Sequence, residues 1–494
     1  MSLAELRPQN YYLGFFLHRL QREVWAGPYL RSCGDCEARM TTNVDIEKLQ
    51  GGARPGAVGN NHTVAAPVSP AAVVLRDQEN TLLAWTQVLV GFLLMFSSWG
   101  LVNTFGVFQD YYTLVPSFAS SFAVSWIGSV QSFLLLLLGA LSGRVVDAGY
   151  ARSMTAAGSF LIVFGMMMVS LSGDGTDTGT EGEGEGAGAT LIYYQIMLSQ
   201  GICCGAGMGL VFIPSISITA TYFQRRRALA LGIVTTGAAA GGVVYPVVFE
   251  HLVESLEFRW AVRIIALVAL ATLGVACLLM RPRTDLPAKT KAPLLEIVAF
   301  KEPAYLALVL GQMCSFAGVY VVYFFILGRV SARHVDLQAL RPYYLVSFLN
   351  IGGVFGRIVP NYLADKTHPL LIQSIFVFIG GILIFVWPVV SNLAGLIVFC
   401  LVYGFFSGAF ISLPPASVAS VTNDMSRYGA RLGMAVTCNA FGLLAGPPIA
   451  GAILFHGPGY TGTSLFGGFI VVAGSVLIGS AWFFKVREAR HLGS

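Results

Sequence analysis

Charge is what this sequence has little of. Asp, Glu, Lys and Arg together make up 11% of its 494 residues, where a soluble domain carries about 25%. Too few polar groups remain to cover a water-exposed surface of this size, and that excludes an ordinary soluble protein. The motifs of the commoner enzyme classes are missing as well. No HExxH, GxSxG or phosphate-cradling P-loop occurs, so the chain is not expected to be an enzyme or to hydrolyse ATP for itself. Cysteine offers no metal site. Cys203, Cys204, Cys277, Cys314, Cys400 and Cys438 fall inside apolar runs, and Cys33 and Cys36 form a lone CxxC with no second pair and no His at ligand spacing. No cofactor is expected. The net charge of +5 is too modest to suggest a nucleic-acid partner. Rings of charge or a re-entrant filter, which a channel would need, are not visible either.

What is present is apolar length. Hydrophobic residues make up 55% of the chain, and the mean hydropathy is +0.70. Lipid must be the solvent. A spanning helix needs about 20 mostly apolar residues, and the chain supplies twelve such runs. They are continuous rather than alternating, which argues for helices over a β-barrel. The expected spans are 83–108, 123–141, 154–171, 191–222, 228–249 and 260–280, then 304–327, 343–358, 370–390, 393–418, 432–454 and 466–484. The fold class expected is an all-α membrane protein, twelve transmembrane helices in two six-helix pseudo-repeats. Around these lie a largely disordered cytosolic tail, 1–80, and a cytoplasmic linker, 281–303, between the halves 81–280 and 304–484; a short cytosolic tail, 485–494, follows. Met40 opens a more ordinary polar tail, so an over-extended start is one reading of residues 1–39.

Orientation follows from the basic residues, which are retained on the cytoplasmic side. The three consecutive arginines Arg225, Arg226 and Arg227 separate two apolar runs that contain no charge. They fall on one side together with Arg144, Arg152, Arg281, Lys301, Arg357, Lys366, Arg427, Arg431 and Lys485, among others. The other side holds Arg259, Arg263, Arg329, Arg333 and Arg341, an excess of about three to one. Both termini are therefore expected in the cytosol of a multi-pass protein, with the plasma membrane as its expected location. The segment 172–190, all small and acidic residues, falls outside and is expected to be a disordered spacer.

The two halves echo each other. Gly143, Arg144 and Asp147 follow the second span, and Asn361, Asp365 and Lys366 follow the eighth. Two six-helix halves with a charged signature at equivalent loops resemble the major facilitator superfamily. The resemblance implies halves that rock about a midplane site, with Gly143, Arg144, Asp147, Asp365 and Lys366 as gating or loop-latch residues. Ala148 stands where the first copy usually has a basic residue, and Asn361 where the second usually has Gly. Further motifs narrow the likeness: Trp99-Gly100 with Asn103-Thr104-Phe105-Gly106 in the first span, Phe212-Ile213-Pro214-Ser215 in the fourth and Glu257-Phe258-Arg259-Trp260 before the sixth. With Gly356-Arg357 and Gly446-Pro447-Pro448, these resemble the fungal branch of the monocarboxylate porters.

Polar groups inside a membrane are expensive and therefore informative. Asn103, Gln131, Gln200, Tyr320, Tyr323, Asn350, Arg357 and Asn439 are the candidate substrate-binding residues, with Gln312 a further intramembrane amide. Any one of them reads as well as an interhelical hydrogen bond. As a set on cavity-forming helices they suit a substrate site, and Tyr320 and Tyr323, three apart, share one helix face. In animal relatives that carry lactate-like acids, the resemblance equates Arg357 with an arginine that pairs with the substrate carboxylate. The Asp four residues earlier and the Lys of the first span, which serve proton coupling there, correspond here to Gly353 and Asn103. Arg357 reads equally as an anion site and as an anchor of the cytoplasmic interface. An apolar, amide-lined and aromatic cavity suits a larger amphiphilic molecule better than lactate. The expected function is secondary active export of a fungal secondary metabolite. The alternatives are uptake of a monocarboxylate, vitamin or similar solute, and a transport-dead sensor. The partners expected are a small-molecule substrate and the lipid bilayer, with a coupling proton as an option, for a protein acting as a monomer.

Overall fold

Lipid offers the backbone no hydrogen-bond partners, so each apolar run must satisfy its own N–H and C=O groups. Every run does so as a helix. The computed structural model describes residues 81–114, 120–172, 193–223, 227–282, 296–332, 341–424, 427–457 and 459–492. All of these belong to one compact unit, Val68–Ser494. The tail 1–80, Arg225, Arg226, most of the acidic segment and most of the linker lie outside the described residues.

Ten of the described helices are long and apolar enough to cross a membrane. One of them, Arg227–Leu279, is two spans joined at Glu257, where φ 66° and ψ 163° interrupt the helical course. The helix Tyr344–Lys366, which carries Arg357, Asp365 and Lys366, completes the set. The twelve expected spans are therefore all represented. In order they are Leu82–Ser97 with Trp99–Leu114, Ser121–Asp147, Ala151–Leu171 and a fourth that begins as a π-helical segment, Met197–Cys204, and continues as Gly205–Tyr222. The fifth and sixth share Arg227–Leu279. Then come Pro303–Ala332, Tyr344–Lys366, Pro369–Val386, Leu393–Ser412 with Pro414–Val421, Tyr428–His456 and Tyr460–Leu492.

Three boundaries differ from the sequence expectation, each for a local reason. The fifth span does not stop near Phe249. It runs on to Glu257, a non-glycine residue in the left-handed φ range, a conformation that persists only when its surroundings fix it. Here an aromatic knot does so. Phe258 stacks on Tyr111 with centroids 4.8 Å apart and meets Phe249 edge-on at 6.1 Å. The eighth span continues past Ile358 to Lys366. Asn361 donates to the Arg357 carbonyl at 2.6 Å, and the Lys366 ammonium sits 4.3 Å from the Tyr362 ring, one turn back. The second span likewise reaches Asp147. Gly143–Asp147 and Asn361–Lys366 thus form terminal helical turns rather than loops.

Glycine lets these helices approach closely. Gly446 lies against the backbone of Ala317, and Gly442 against that of Met313, which brings the eleventh span onto the seventh. Gly241 faces Gly100 across the fifth and first spans, and Gly237 faces the Phe92 carbonyl. Gly232, on the same fifth span, has nothing within 4 Å of an added Cβ.

Alternation of the spans leaves Leu82 and Leu492 on one face of the bundle, called here the terminal face. An ion cluster ties the chain down there. Arg431 donates from Nε to Glu296 at 3.0 Å and from Nη1 to Glu302 at 2.7 Å. Arg427 reaches Glu296 at 2.9 Å, and the Tyr305 hydroxyl donates to the Arg431 carbonyl at 2.7 Å. The short 3-10 turn Ile297–Lys301 is thereby fixed to the start of the eleventh span. Hydrogen bonds from Arg431 above all, then from Arg427, hold the Glu296 carboxyl below its usual range despite its burial. A carboxylate depressed in the folded state contributes stability above its unfolded pKa of about 4.3 and loses it as pH falls through the lower folded value. The thermal midpoint of the purified protein should therefore fall as pH drops below about 4.3, and fall less for Glu296→Gln. Equal acid slopes for the two proteins would refute this.

Candidate substrate site

Polar groups that cannot reach water must find each other. At the middle of the bundle they do so across the seam between the first six and last six spans. Asn103 Nδ2 on the first span donates to Asn350 Oδ1 on the eighth at 2.9 Å and to the Ala238 carbonyl at 3.3 Å. The Tyr320 hydroxyl on the seventh donates to Asn103 Oδ1 at 3.4 Å. Asn350 Nδ2 in turn serves the carbonyls of Val346 at 2.9 Å and Gly242 at 3.2 Å. Gly242 makes room for this, because a Cβ there would run into the Asn350 amide. Towards the face opposite the termini the seam is closed further. Phe105 packs on Phe324 at 4.9 Å, Ser347 donates to the Val243 carbonyl at 3.2 Å, and Arg341 pairs with Glu254 at 2.8 Å.

Beside this amide pair stands an aromatic wall. Tyr320 and Tyr323 are 5.5 Å apart, as their spacing implied. Tyr323 shares a hydrogen bond with Ser407 at 3.1 Å and lies 6.3 Å from Tyr403. On the other side, Trp99 lies nearly parallel to Tyr320 at 6.3 Å and 26°.

Arg357, two turns along the eighth span from Asn350, is within electrostatic reach of both tyrosines. It is 2% exposed, and its Nε and Nη1 have no hydrogen-bond partner. The position one turn earlier, where the family likeness places an acid, is Gly353, and a Cβ there would stand 3.8 Å from Nη1. The other fully buried arginine among the described residues is committed differently. Arg329 Nη2 donates to the carbonyls of Pro388 at 2.8 Å and Val390 at 2.6 Å, just past the end of the ninth span, where a cation is favoured by the helix dipole.

The remaining candidates lie apart from this centre. Asn439 belongs to a chain of amides within the last six spans. It donates to Gln312 at 3.4 Å, which donates to Gln373 at 3.4 Å. Gln131 contacts Met208 Sδ at 3.4 Å, between the second and fourth spans. Gln200 accepts from the Tyr112 hydroxyl at 2.7 Å and lies in the π-helical segment, a distortion common at functional sites. Gly143 is half-buried beside the fourth span, while the side chains of Arg144, Asp147 and Arg227 lie outside the described residues. Asp365 is exposed. Sequence reasoning missed Trp99, Tyr403, Ser407 and Gln373. For Trp99 a signal existed, since it opens a motif already singled out. For the others, membership depended on helix rotation. A separate apolar cavity of about 550 Å³ between the second and eleventh spans is lined by Phe122, Trp126, Pro448, Ile449 and His456, and holds none of the polar candidates.

A family profile described as Major Facilitator Superfamily matches residues 87–423. The chain is 39% identical over 400 residues to the MFS-type transporter dbaD of Emericella nidulans, covering 80% of this chain and 85% of that protein. It is 34% identical over 396 residues to the aspyridones efflux protein apdF of the same organism, covering 80% and 76%. Among solved structures, a mutant of the peptide transporter POT in complex with sulfate superposes with a TM-score of 0.61 at 13% identity, covering 82% of this chain and 95% of that one. At that identity the last likeness speaks for the fold alone.

Proposed function

The chain belongs to the Major Facilitator Superfamily, and from that membership we propose that it is a secondary active transporter that exports an anionic secondary metabolite of fungal type. The observation that carries the anionic part is Arg357. A guanidinium taken out of water without a counter-charge is expensive; the titratable groups within its electrostatic reach are the neutral Tyr320 and Tyr323, and Gly353 stands one turn earlier in place of an acid. A substrate that brings its own negative charge supplies the missing partner through a planar, two-pronged contact. The efflux names of relatives such as apdF support the direction.

Asn103, Asn350, Tyr320, Tyr323 and Arg357 form the binding centre in this reading. Gln131, Gln200 and Asn439 support the helices that bear it. Alternating access requires the Asn103–Asn350 bond and the Arg341–Glu254 pair to break as the far side opens, and both cross the seam. A neutral amide pair separates without stranding a charge. The turns at Gly143–Asp147 and Asp365–Lys366 act as latches at the terminal face, which lies in the cytosol with both termini. Arg225–Arg227 hold that orientation in a monomer at the plasma membrane. For a coupling proton the best-placed carboxylates are Asp110 and Glu250, partly buried towards the opposite face and within electrostatic reach of each other. Within the superfamily we place the chain with the fungal monocarboxylate porters.

Deleting the gene tests export directly. An acidic metabolite should accumulate in the cells and fall in the medium, and return to normal on complementation. A lower cellular content of a supplied solute would favour uptake instead, and unchanged distribution of every metabolite would reject transport.

A further inference from the structure

Two hydrogen-bond donors at the centre of the bundle are buried and unanswered. One lies on the Arg357 guanidinium, at Nε and Nη1. The other is the indole N–H of Trp99, a residue 1% exposed whose Nε1 has no partner. Buried N–H groups are nearly always paired, so an orphan on a helix that lines a transport seam needs a reason. Its surroundings supply one. The Trp99 ring is held edge-on by Phe212 of the fourth span at 5.9 Å and lies nearly parallel to Tyr320 of the seventh at 6.3 Å. Tyr320 is also one of the two tyrosines within electrostatic reach of Arg357. Tyr320 therefore connects an orphan donor from each half, the neutral Trp99 N–H of the first six spans, whose ring packs on it, and the cationic Arg357 of the last six, within electrostatic reach of it.

We propose that Trp99 is a specificity-determining residue of the transport site, and that the site takes a planar conjugated acid bearing a second oxygen acceptor, such as a phenolic acid or an enolic β-dicarbonyl. The anionic group sits at Arg357. The conjugated body lies along Tyr320 and Tyr323. The second oxygen accepts from the Trp99 indole. Because the two donors belong to spans on opposite sides of the seam, such a molecule bridges them, and one lacking the second oxygen bridges them less well. A site built to donate to an oxygen discriminates strongly against analogues without it, because its own buried N–H is then left unpaired. The inference rests on the reading that this centre binds the transported molecule.

The test uses the purified full chain and three probes: 2,4-dihydroxybenzoate, benzoate and methyl 2,4-dihydroxybenzoate, with binding measured by titration calorimetry. The wild type should bind the dihydroxy acid about tenfold more tightly than benzoate, the difference that one buried hydrogen bond makes, and the ester least. Trp99→Phe keeps a stacking ring but removes the donor, and should abolish the tenfold gap between the dihydroxy acid and benzoate. Arg357→Gln should weaken both acids. Equal losses for the two acids in Trp99→Phe would overturn the proposal. So would equal affinities in the wild type, a comparison that needs no variant to fold. If a folded wild type binds no aromatic acid while gene deletion still retains a metabolite in the cells, this inference fails and the export reading stands. Unchanged metabolite distribution after deletion rejects export itself, whatever the probes do.

Discussion

Replacing Arg357 by Gln should lower export by about two orders of magnitude while leaving the protein as stable as before. The transport estimate comes from two charge-assisted hydrogen bonds to an anion, each worth about 1.5–3 kcal/mol, part of which Gln recovers as a neutral donor. The stability half is the sharper expectation. Removing one member of a buried ion pair costs about 3–5 kcal/mol because it strands the other charge. Arg357 strands nothing when it goes, since its Nε and Nη1 are already unpaired and Gly353 occupies the turn above. A neutral amide of smaller volume relieves a desolvated charge and leaves a small gap, so the thermal midpoint should stay level or rise. Arg357→Lys keeps the charge but loses the planar fork, and should recover only part of the transport. The measurements are metabolite export from cells expressing each variant and the thermal midpoint of each in detergent. If Arg357→Gln unfolds the protein, the side chain is an anchor of the helix interface and not a ligand for anions.

The bundle was legible from the chain because hydropathy and basic-residue placement are averages over twenty residues, and averages survive ignorance of detail. The errors fell where a few atoms decide. Glu257 extends the fifth span because Phe258 finds Tyr111 to stack on, a contact between residues 147 positions apart that no local pattern encodes. Asn361 and Lys366 look like loop residues by composition, yet each caps or covers the turn beneath it. At the centre, residue type identified the right chemistry but not its grouping. Asn103 and Asn350 meet across the seam, while Asn439, an equally plausible amide, turns towards Gln312 and Gln373. Helix rotation separates these cases. Rotation leaves little trace in the sequence of a membrane span, because the face towards lipid and the face towards protein are both apolar.

Replacing Gly446 by Leu should remove both folding and export, and even Gly446→Ala should show the damage. A Cβ at this position would lie 2.6 Å from the Ala317 carbonyl carbon and 2.7 Å from its Cα. These are backbone atoms of the facing helix, which no side-chain rotation can move aside. The seventh and eleventh spans must separate instead. Overpacking in a rigid interior costs about 1–3 kcal/mol for small additions, and transmembrane helices have no hydrophobic drive to pull them back together. The consequence reaches the site, because Tyr320 stands one turn along the same helix from Ala317, and Tyr323 one turn further. Displacing that helix also loosens Tyr320 from Asn103, a bond already 3.4 Å long. Gly232→Ala is the matched control: nothing lies within 4 Å of its added methyl, and alanine is the better helix former by about 1 kcal/mol. Size-exclusion profiles and thermal midpoints should therefore move in opposite directions for the two alanine variants. A Gly446→Ala protein as stable and as active as the wild type would mean that the two helices do not approach this closely, and the tyrosine wall would lose its stated support.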